Sequence, residues 1–516
     1  MHNHKLIKDV HVITLDDDMS EFSRADILVK DTKIEKIARE INPASDHGDL
    51  EVIDGDGKLA MPGLVNGHVH SPGNLQKGTL NGMPLEVFML YEVPPLSENP
   101  PSPRLNYIRT MLGNLEMLKL GVTSVHDDAF YVPYPTPEAI DGLMQSYADC
   151  GIRAAATLDQ PNVVEYKKYP FLYEMLPEDI RRDMEHAPRM SKEELLDLYD
   201  YFINTWHDTY NGRVKTAVSI SAPQRVTVDY FRALSEISRE KDLPFDIHVL
   251  ETKLQRVLGE EKYGKSLVKY VDDLGFLNEQ VMVIHAIWVD DEDIDILAQS
   301  GCTVAHNPGC NLRLGSGVMP YRKLRDAGVP ICLGSDEAIA EDTANMWSIG
   351  KLAATIHTLA DPDYRNWPEA EEILWSLTRG GARAMRNQDH VGMLVPGYEA
   401  DIILVDLNTL NFTPLNDIYR QLVYCEDGSS VRLVMVAGEI VVEDGEVLTV
   451  DEEAIKEEAR ELMKAYSKEL DQAQQAAEKL LPYYHEMYMR AAKRDVGMNR
   501  WVGFGQMISD EQLGVD

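Results

Sequence analysis

Cysteine is scarce: five occur in 516 residues (Cys150, Cys302, Cys310, Cys332 and Cys425), and no Cys-x-x-Cys pair is among them. That excludes a thiolate zinc knuckle and a disulfide framework. The apolar runs around several of them read as surroundings of buried, inert thiols. A reducing, cytoplasmic setting is therefore expected. Positive charge is also short. Lys and Arg number 50 against 86 acidic residues, a formal net charge of −36. Nucleic-acid binding needs basic patches, so it is disfavoured, and the charge reads as a well-solvated acidic surface. No run of about 18 apolar residues is present to span a bilayer, and MHNHKLIKDV lacks the charged-then-apolar order of a secretory leader. Apolar residues make up 44% of the chain, enough for a large core, and the length fits one catalytic domain with smaller parts.

The first 60 residues alternate like short strands with Gly-Asp and Asp-Gly turns: LIKDVHVITL, ADILVKDTKIEKIA and LEVIDGDGKLAMPG. A matching set returns at 395–450, in GYEADIILVDL and VRLVMVAGEIVVEDGEVL. Neither set is sufficient alone, so the two are expected to pair into one small β-sandwich domain built from both ends of the chain. Between them, over 61–394, strand-like runs alternate with helical stretches. The runs are 64–70, 122–128, 152–158, 215–223, 245–251, 281–289, 303–309 and 330–336. This alternation predicts an α/β fold, a (β/α)8 TIM-like barrel, with its chemistry at the C-terminal ends of the strands. Residues 451–516 read as a helical extension, a charged helix followed by an aromatic, Met-rich docking segment.

Polar residues collect at those strand ends. His68 and His70 are two apart on a strand, so both side chains share a face. The pair His2 and His4 has no such scaffold and reads as a frayed end. His248 ends the run Phe245-Asp246-Ile247, and Glu251 follows three positions later, just past the strand end, where a carboxylate can move a proton between water and a leaving nitrogen. His285 and Asp336 end two further apolar runs. A carboxylate at a buried position is costly unless a cation meets it. Imidazoles and carboxylate without thiolate suit one divalent ion, Zn2+ first and Fe2+ as the alternative.

These motifs, with PGLVNGHVH, GVTSVHD, HVLET, HNPGCNLRLGSG, LGSD and the late GYEADIILVDL, make the chain resemble the amidohydrolase superfamily over roughly residues 5–450, in particular its cytosine deaminase and triazine hydrolase branch. The resemblance implies four metal ligands, His68, His70, His248 and Asp336. It implies Glu251 as proton shuttle and His285 as the group that hydrogen-bonds the attacking water or the developing oxyanion. Binuclear members carry a Lys at the end of the fourth strand. Here that end reads Ile220-Ser221-Ala222-Pro223 and Lys215 lies at the opposite end, so one metal is expected.

His126, Ser221, His306, Asn307 and Glu337 are expected to line the substrate pocket, and Asn311 and Arg313 either grip substrate or brace their loop. Members that deaminate adenosine-type compounds tend to have a His where Ser221 stands. They also carry an acidic residue after strand one, aligned here near Ser97-Glu98. Glu337 replaces a small residue, and either meets a cationic or hydrogen-donating substrate or pairs with Arg313 or Arg322. Gly259–Ser266 mimics a phosphate loop, but no strand is expected before it. His485-Glu486 starts a metalloprotease-like pattern and lacks its second His. The resulting expectation is a hydrolytic deaminase of an N-heterocyclic small molecule, in a homo-oligomer. Its rivals are dechlorination or cyclic-amide hydrolysis on the same site, and a catalytically silent scaffold.

Overall fold

A computed structural model describes residues 4–42 and 50–501. The chain opens with β1 (His4–Ile13), β2 (Glu21–Lys30), β3 (Lys33–Ala38), β4 (Leu50–Asp54) and β5 (Lys58–Pro62). The central region contributes β6 (Leu64–His70), β7 (Val122–Asp127), β8 (Arg153–Ala156), β9 (Val214–Thr216), β10 (Val218–Ser219), β11 (Phe245–Val249), β12 (Val281–His285), β13 (Thr303–His306), β14 (Ile331–Leu333) and β15 (Asp336–Glu337). The late strands are β16 (Ile402–Asp406), β17 (Val431–Val436), β18 (Glu439–Glu443) and β19 (Glu446–Val447).

The central strands are all parallel and form two five-stranded arcs, β15-β6-β7-β8-β9 and β10-β11-β12-β13-β14. Each arc ends where one run changes partner. At Ala217 the fourth run leaves β8 for β11: the Ala217 amide bonds Ala156 O at 2.7 Å and the next amide bonds Pro244 O at 2.9 Å. At Gly334-Ser335 the eighth run leaves β13 for β6, and Asn66 bridges the gap by bonding Ser335 twice, at 2.8 and 3.1 Å. Helices connect successive runs. Asp291–Ser300 is representative: Asp290 and Asp293 form a capping box at its start, and Gly301 ends it at φ 73°. Most of these strands are buried along their whole length, with Lys215 and His248 only partly so, which is why they read as near-continuous apolar runs.

Both chain ends enter one nine-stranded sheet. Its seam is the antiparallel pair β5–β16, running from Ile402 opposite Pro62 to Asp406 opposite Lys58. Halfway along, β1 changes partner from β4 to β5 around Asp9, which has φ 57°. The sheet has its own core, including Ile7, Val12, Ile27, Ile402 and Leu404. His4 is buried in β1 opposite Lys30, which corrects the frayed end expected there; His2 lies outside the described residues.

The extension forms helices Glu452–Ala477 and Leu481–Ala492. They pack on helix Leu85–Glu92, and the second also packs on Lys253–Tyr263. Gln474 bonds Tyr91 O at 3.2 Å, and Lys253 reaches Ala492 O at 2.7 Å. Beyond them Trp501 donates to Gly315 O at 2.9 Å, and the rest of the expected docking segment lies outside the described residues. The phosphate-loop mimic falls largely within helix Lys253–Tyr263. Among the described residues no helix is long and apolar enough to cross a membrane.

Candidate active site

The C-terminal ends of the parallel strands surround a cavity. Several of these ends hold non-glycine residues at positive φ: Ser221 at 62°, His285 at 75° and Asp336 at 60°. Each strand turns sharply there, which aims the terminal side chain along the rim; such backbone is uncommon and concentrates at functional sites.

His68, His70 and His248 converge. His70 Nε2 and His248 Nε2 are 3.3 Å apart, and Asp336 Oδ1 lies 3.5 Å from both His68 Nε2 and His70 Nε2. Carbonyl acceptors fix two of the tautomers. His70 Nδ1 donates to Asp128 O at 2.5 Å, and His248 Nδ1 donates to Ser221 O at 2.8 Å. Each Nε2 therefore turns a lone pair toward the shared point. Neither ring nitrogen of His68 has a hydrogen-bond partner, and Asp336 Oδ2 has none either. Burial lowers the pKa of His68, and burial with the neighbouring rings puts that of His248 well below the ordinary value. Burial alone would raise the Asp336 carboxyl, but the His68 ring and the other imidazoles override it and hold it low. Neutral imidazoles, an ionised carboxylate and orphaned buried donor atoms are what a divalent cation requires. The residues present fit such an ion.

Glu251 and His285 stand beside this cluster. His285 Nε2 is 3.4 Å from Glu251 Oε2 and 3.6 Å from Asp336 Oδ2. Its Nδ1 bonds Asn311 Oδ1 at 3.0 Å, so Asn311 braces the ring, while the buried Asn311 Nδ2 has no hydrogen-bond partner. Asn307 stands behind the same ring at 3.4 Å. Burial depresses His285 to about 4. Burial, and then the charge of Asp336, raises the Glu251 carboxyl well above its usual range. Ser316 approaches Glu251 Oε1 at 3.3 Å.

Of the pocket residues expected from sequence, Ser221 and Glu337 line the cavity; His126, His306 and Asn307 do not. His126 spans the interior from β7 to bond Asp246 on β11 at 2.7 Å, both fully buried. His306 turns outward to His357, 3.1 Å away. The acidic residue expected near Ser97-Glu98 is also displaced. Glu98 is exposed, and Glu92, at the end of helix Leu85–Glu92, lines the cavity instead. Arg313 bonds Asp342 and Leu80 O, and Arg322 bonds Glu372 at 2.8 Å, so neither pairs with Glu337. Lys215 is 3.8 Å from Asp208, away from the cluster.

Sequence reasoning missed Arg225, Asp159, Phe130 and Glu165 in the wall. Each lies beyond a strand end, in a short 3-10 turn or the isolated bridge Phe130–Asp159, where no periodicity marks it. It also missed Asp128, whose carbonyl fixes His70 and whose Oδ2 is 3.6 Å from His248, although the doubled Asp after His126 was a signal.

A family model described as "Amidohydrolase family" matches residues 59–441. The chain is 33% identical over 437 residues to a 5-methylthioadenosine/S-adenosylhomocysteine deaminase of Thermococcus kodakarensis, covering 85% of this chain and 93% of that one. It is 30% identical over 456 residues to a 5'-deoxyadenosine deaminase of Methanosarcina mazei, covering 88% and 96% respectively. Among solved structures, atrazine chlorohydrolase TrzN from Arthrobacter aurescens complexed with zinc superposes with a TM-score of 0.79 at 25% identity, over 89% of this chain and 100% of that one.

Proposed function

This chain belongs to the amidohydrolase family, and from that premise we propose that it hydrolytically removes an amino group from an N-heterocyclic small molecule, releasing ammonia. It is a hydrolase of carbon–nitrogen bonds. The two arcs read as halves of a single (β/α)8 barrel. The observation that carries the reading is Glu251 and His285, 3.4 Å apart, set against Asp336 and three converging histidines.

His68, His70, His248 and Asp336 would hold one divalent ion, zinc in preference to iron(II), which when bound supplies acidification of a water molecule. The chain's own groups do the rest. His285, braced at Nδ1 by Asn311 Oδ1 and Asn307 Nδ2, turns Nε2 to orient the attacking water together with Asp336 Oδ2. Glu251, whose buried carboxyl binds a proton readily, takes one from that water and passes it to the leaving nitrogen. The water oxygen bonds the ring carbon, the C–N bond breaks, and nitrogen departs as ammonia. The two deaminases named above carry the names of adenosine-type substrates, which supports an aminated heterocycle here; Ser221 and Glu337 change the wall around it.

Glu251→Gln tests the assignment. Turnover should fall by roughly 10²–10⁴-fold with metal content unchanged. Full activity in that variant contradicts it.

A further inference from the structure

The cavity wall contains a carboxyl pair for which the reaction above has no use. Glu337 immediately follows Asp336 on β15, and its carboxyl meets that of Glu92 from helix Leu85–Glu92. Both line the cavity, and both are more than nine-tenths buried, with 5% and 7% exposure for Glu92 and Glu337. Glu92 Oε1 and Glu337 Oε2 have no hydrogen-bond partner. The two carboxyls converge over Gly73, where a β-carbon would come within 2.9 Å of Glu337 Oε2.

Few cations are within reach: His70 Nε2 lies 4.0 Å from Glu337 Oε1 and belongs to the histidine cluster above, and no arginine or lysine forms an ion pair with Glu92 or Glu337 among the described residues. Arg313 is held by Asp342 and Arg322 by Glu372. Lys168 bonds Glu165 at 2.7 Å. Arg225, the other basic residue of the wall, bonds Ser221 Oγ at 2.9 Å and Met89 Sδ at 2.7 Å. Asp159 adds another carboxyl to the same wall, with its own Oδ1 unpartnered. Six carboxyl residues therefore face this space: Glu92, Asp159, Glu165, Glu251, Asp336 and Glu337. Glu165 is paired with Lys168 and Asp336 belongs to the histidine cluster, so Glu92, Asp159 and Glu337 are the buried carboxyls in excess of the cations around them; such an excess is costly in the free protein and is relieved by a bound group that carries positive charge and several N–H donors.

We propose that Glu92 and Glu337 form the recognition edge for a cationic, N–H-rich part of the substrate, of amidinium or aminoheterocyclic-cation type, separate from the amino group that is lost. Two carboxyls side by side match the paired donors of an amidinium. A neutral isostere with one carbonyl in place of an N–H would turn an acceptor toward acceptors and be rejected. This inference rests on the deaminase reading only in taking this cavity as the substrate site.

The test is calorimetric titration of the full-length, metal-loaded protein with benzamidinium and, separately, with benzamide, alongside metal analysis. Wild type should bind benzamidinium at least about ten-fold more tightly than benzamide, and Glu337→Gln and Glu92→Gln should each bring that ratio toward one. A wild-type ratio near one, or a ratio that survives both substitutions, overturns the proposal. So does a second equivalent of divalent ion per chain that Glu337→Gln removes, because the pair would then be a metal subsite. Either variant suffices if the other does not fold. Titration requires no turnover. An amidinium preference in a protein that releases no ammonia would sink the deaminase reading and leave this inference standing.

Discussion

At the scale of the residue, the buried histidines divide by what their ring nitrogens meet. His68, His70 and His248 turn theirs to a common point, whereas His306 and His357 turn theirs to each other at 3.1 Å. Burial, and then the charge of Arg322, depresses His357 to about 3. Its folded pKa lies below its unfolded one, so the unfolded chain binds the extra proton between the two. The stability this pair contributes is complete above about pH 6.5 and is lost as pH falls toward 3, at about 1.4 kcal/mol per pH unit. His357→Gln should flatten the acid limb of the melting-temperature profile between pH 4 and 6.5; an unchanged slope would refute the linkage. The three converging histidines were legible because each stands at or near the C-terminal end of an apolar strand. The destinations of His126 and His306 were not, because a sequence gives the strand but not the partner on another strand or outside the sheet.

At the scale of the element, the site depends on how closely the eighth run approaches the first. Gly334 lies where β14 gives way to β15, and a β-carbon there would come 2.7 Å from His68 O and 2.5 Å from Asn307 Oδ1. Gly334→Ala must therefore push apart the strands that bear His68 and Asp336. We expect a loss of roughly 1–3 kcal/mol in stability together with weakened metal retention, read by thermal unfolding and metal analysis. Unchanged values for both would show that the approach is not needed. The eight-run alternation was visible in sequence through the switch between strand and helix periods. The breaks at Ala217 and Gly334-Ser335 were hidden, because a change of hydrogen-bonding partner leaves the apolar pattern intact.

At the scale of the whole molecule, the sheet built from both chain ends is fastened beneath the parallel strands by Arg153 at the start of β8. Its guanidinium bonds Asp401 at 2.8 and 3.0 Å, both groups almost fully buried, and Asp401 also accepts from the Ala437 amide at 2.7 Å. Asp401→Ala leaves the buried Arg153 cation only Glu399, 3.8 Å away, and should cost about 3 kcal/mol on denaturant unfolding; a loss below about 1 kcal/mol would mean that the sheet docks without it. The pairing of distant ends was legible from two incomplete strand sets. The extension's position was not, because an amphipathic helix shows that it needs a partner and not which one. It rests on helix Leu85–Glu92, and Tyr484 bonds Glu165 at 3.1 Å, so it braces part of the cavity wall. The central claim, hydrolytic deamination at this rim, is tested most directly by ammonia release from pterins, purines, pyrimidines and triazines, with metal-loaded and chelator-stripped protein side by side. The account predicts stoichiometric ammonia from at least one aminated heterocycle, lost on stripping and restored by zinc. Chloride or a ring-opened acid in place of ammonia would contradict it.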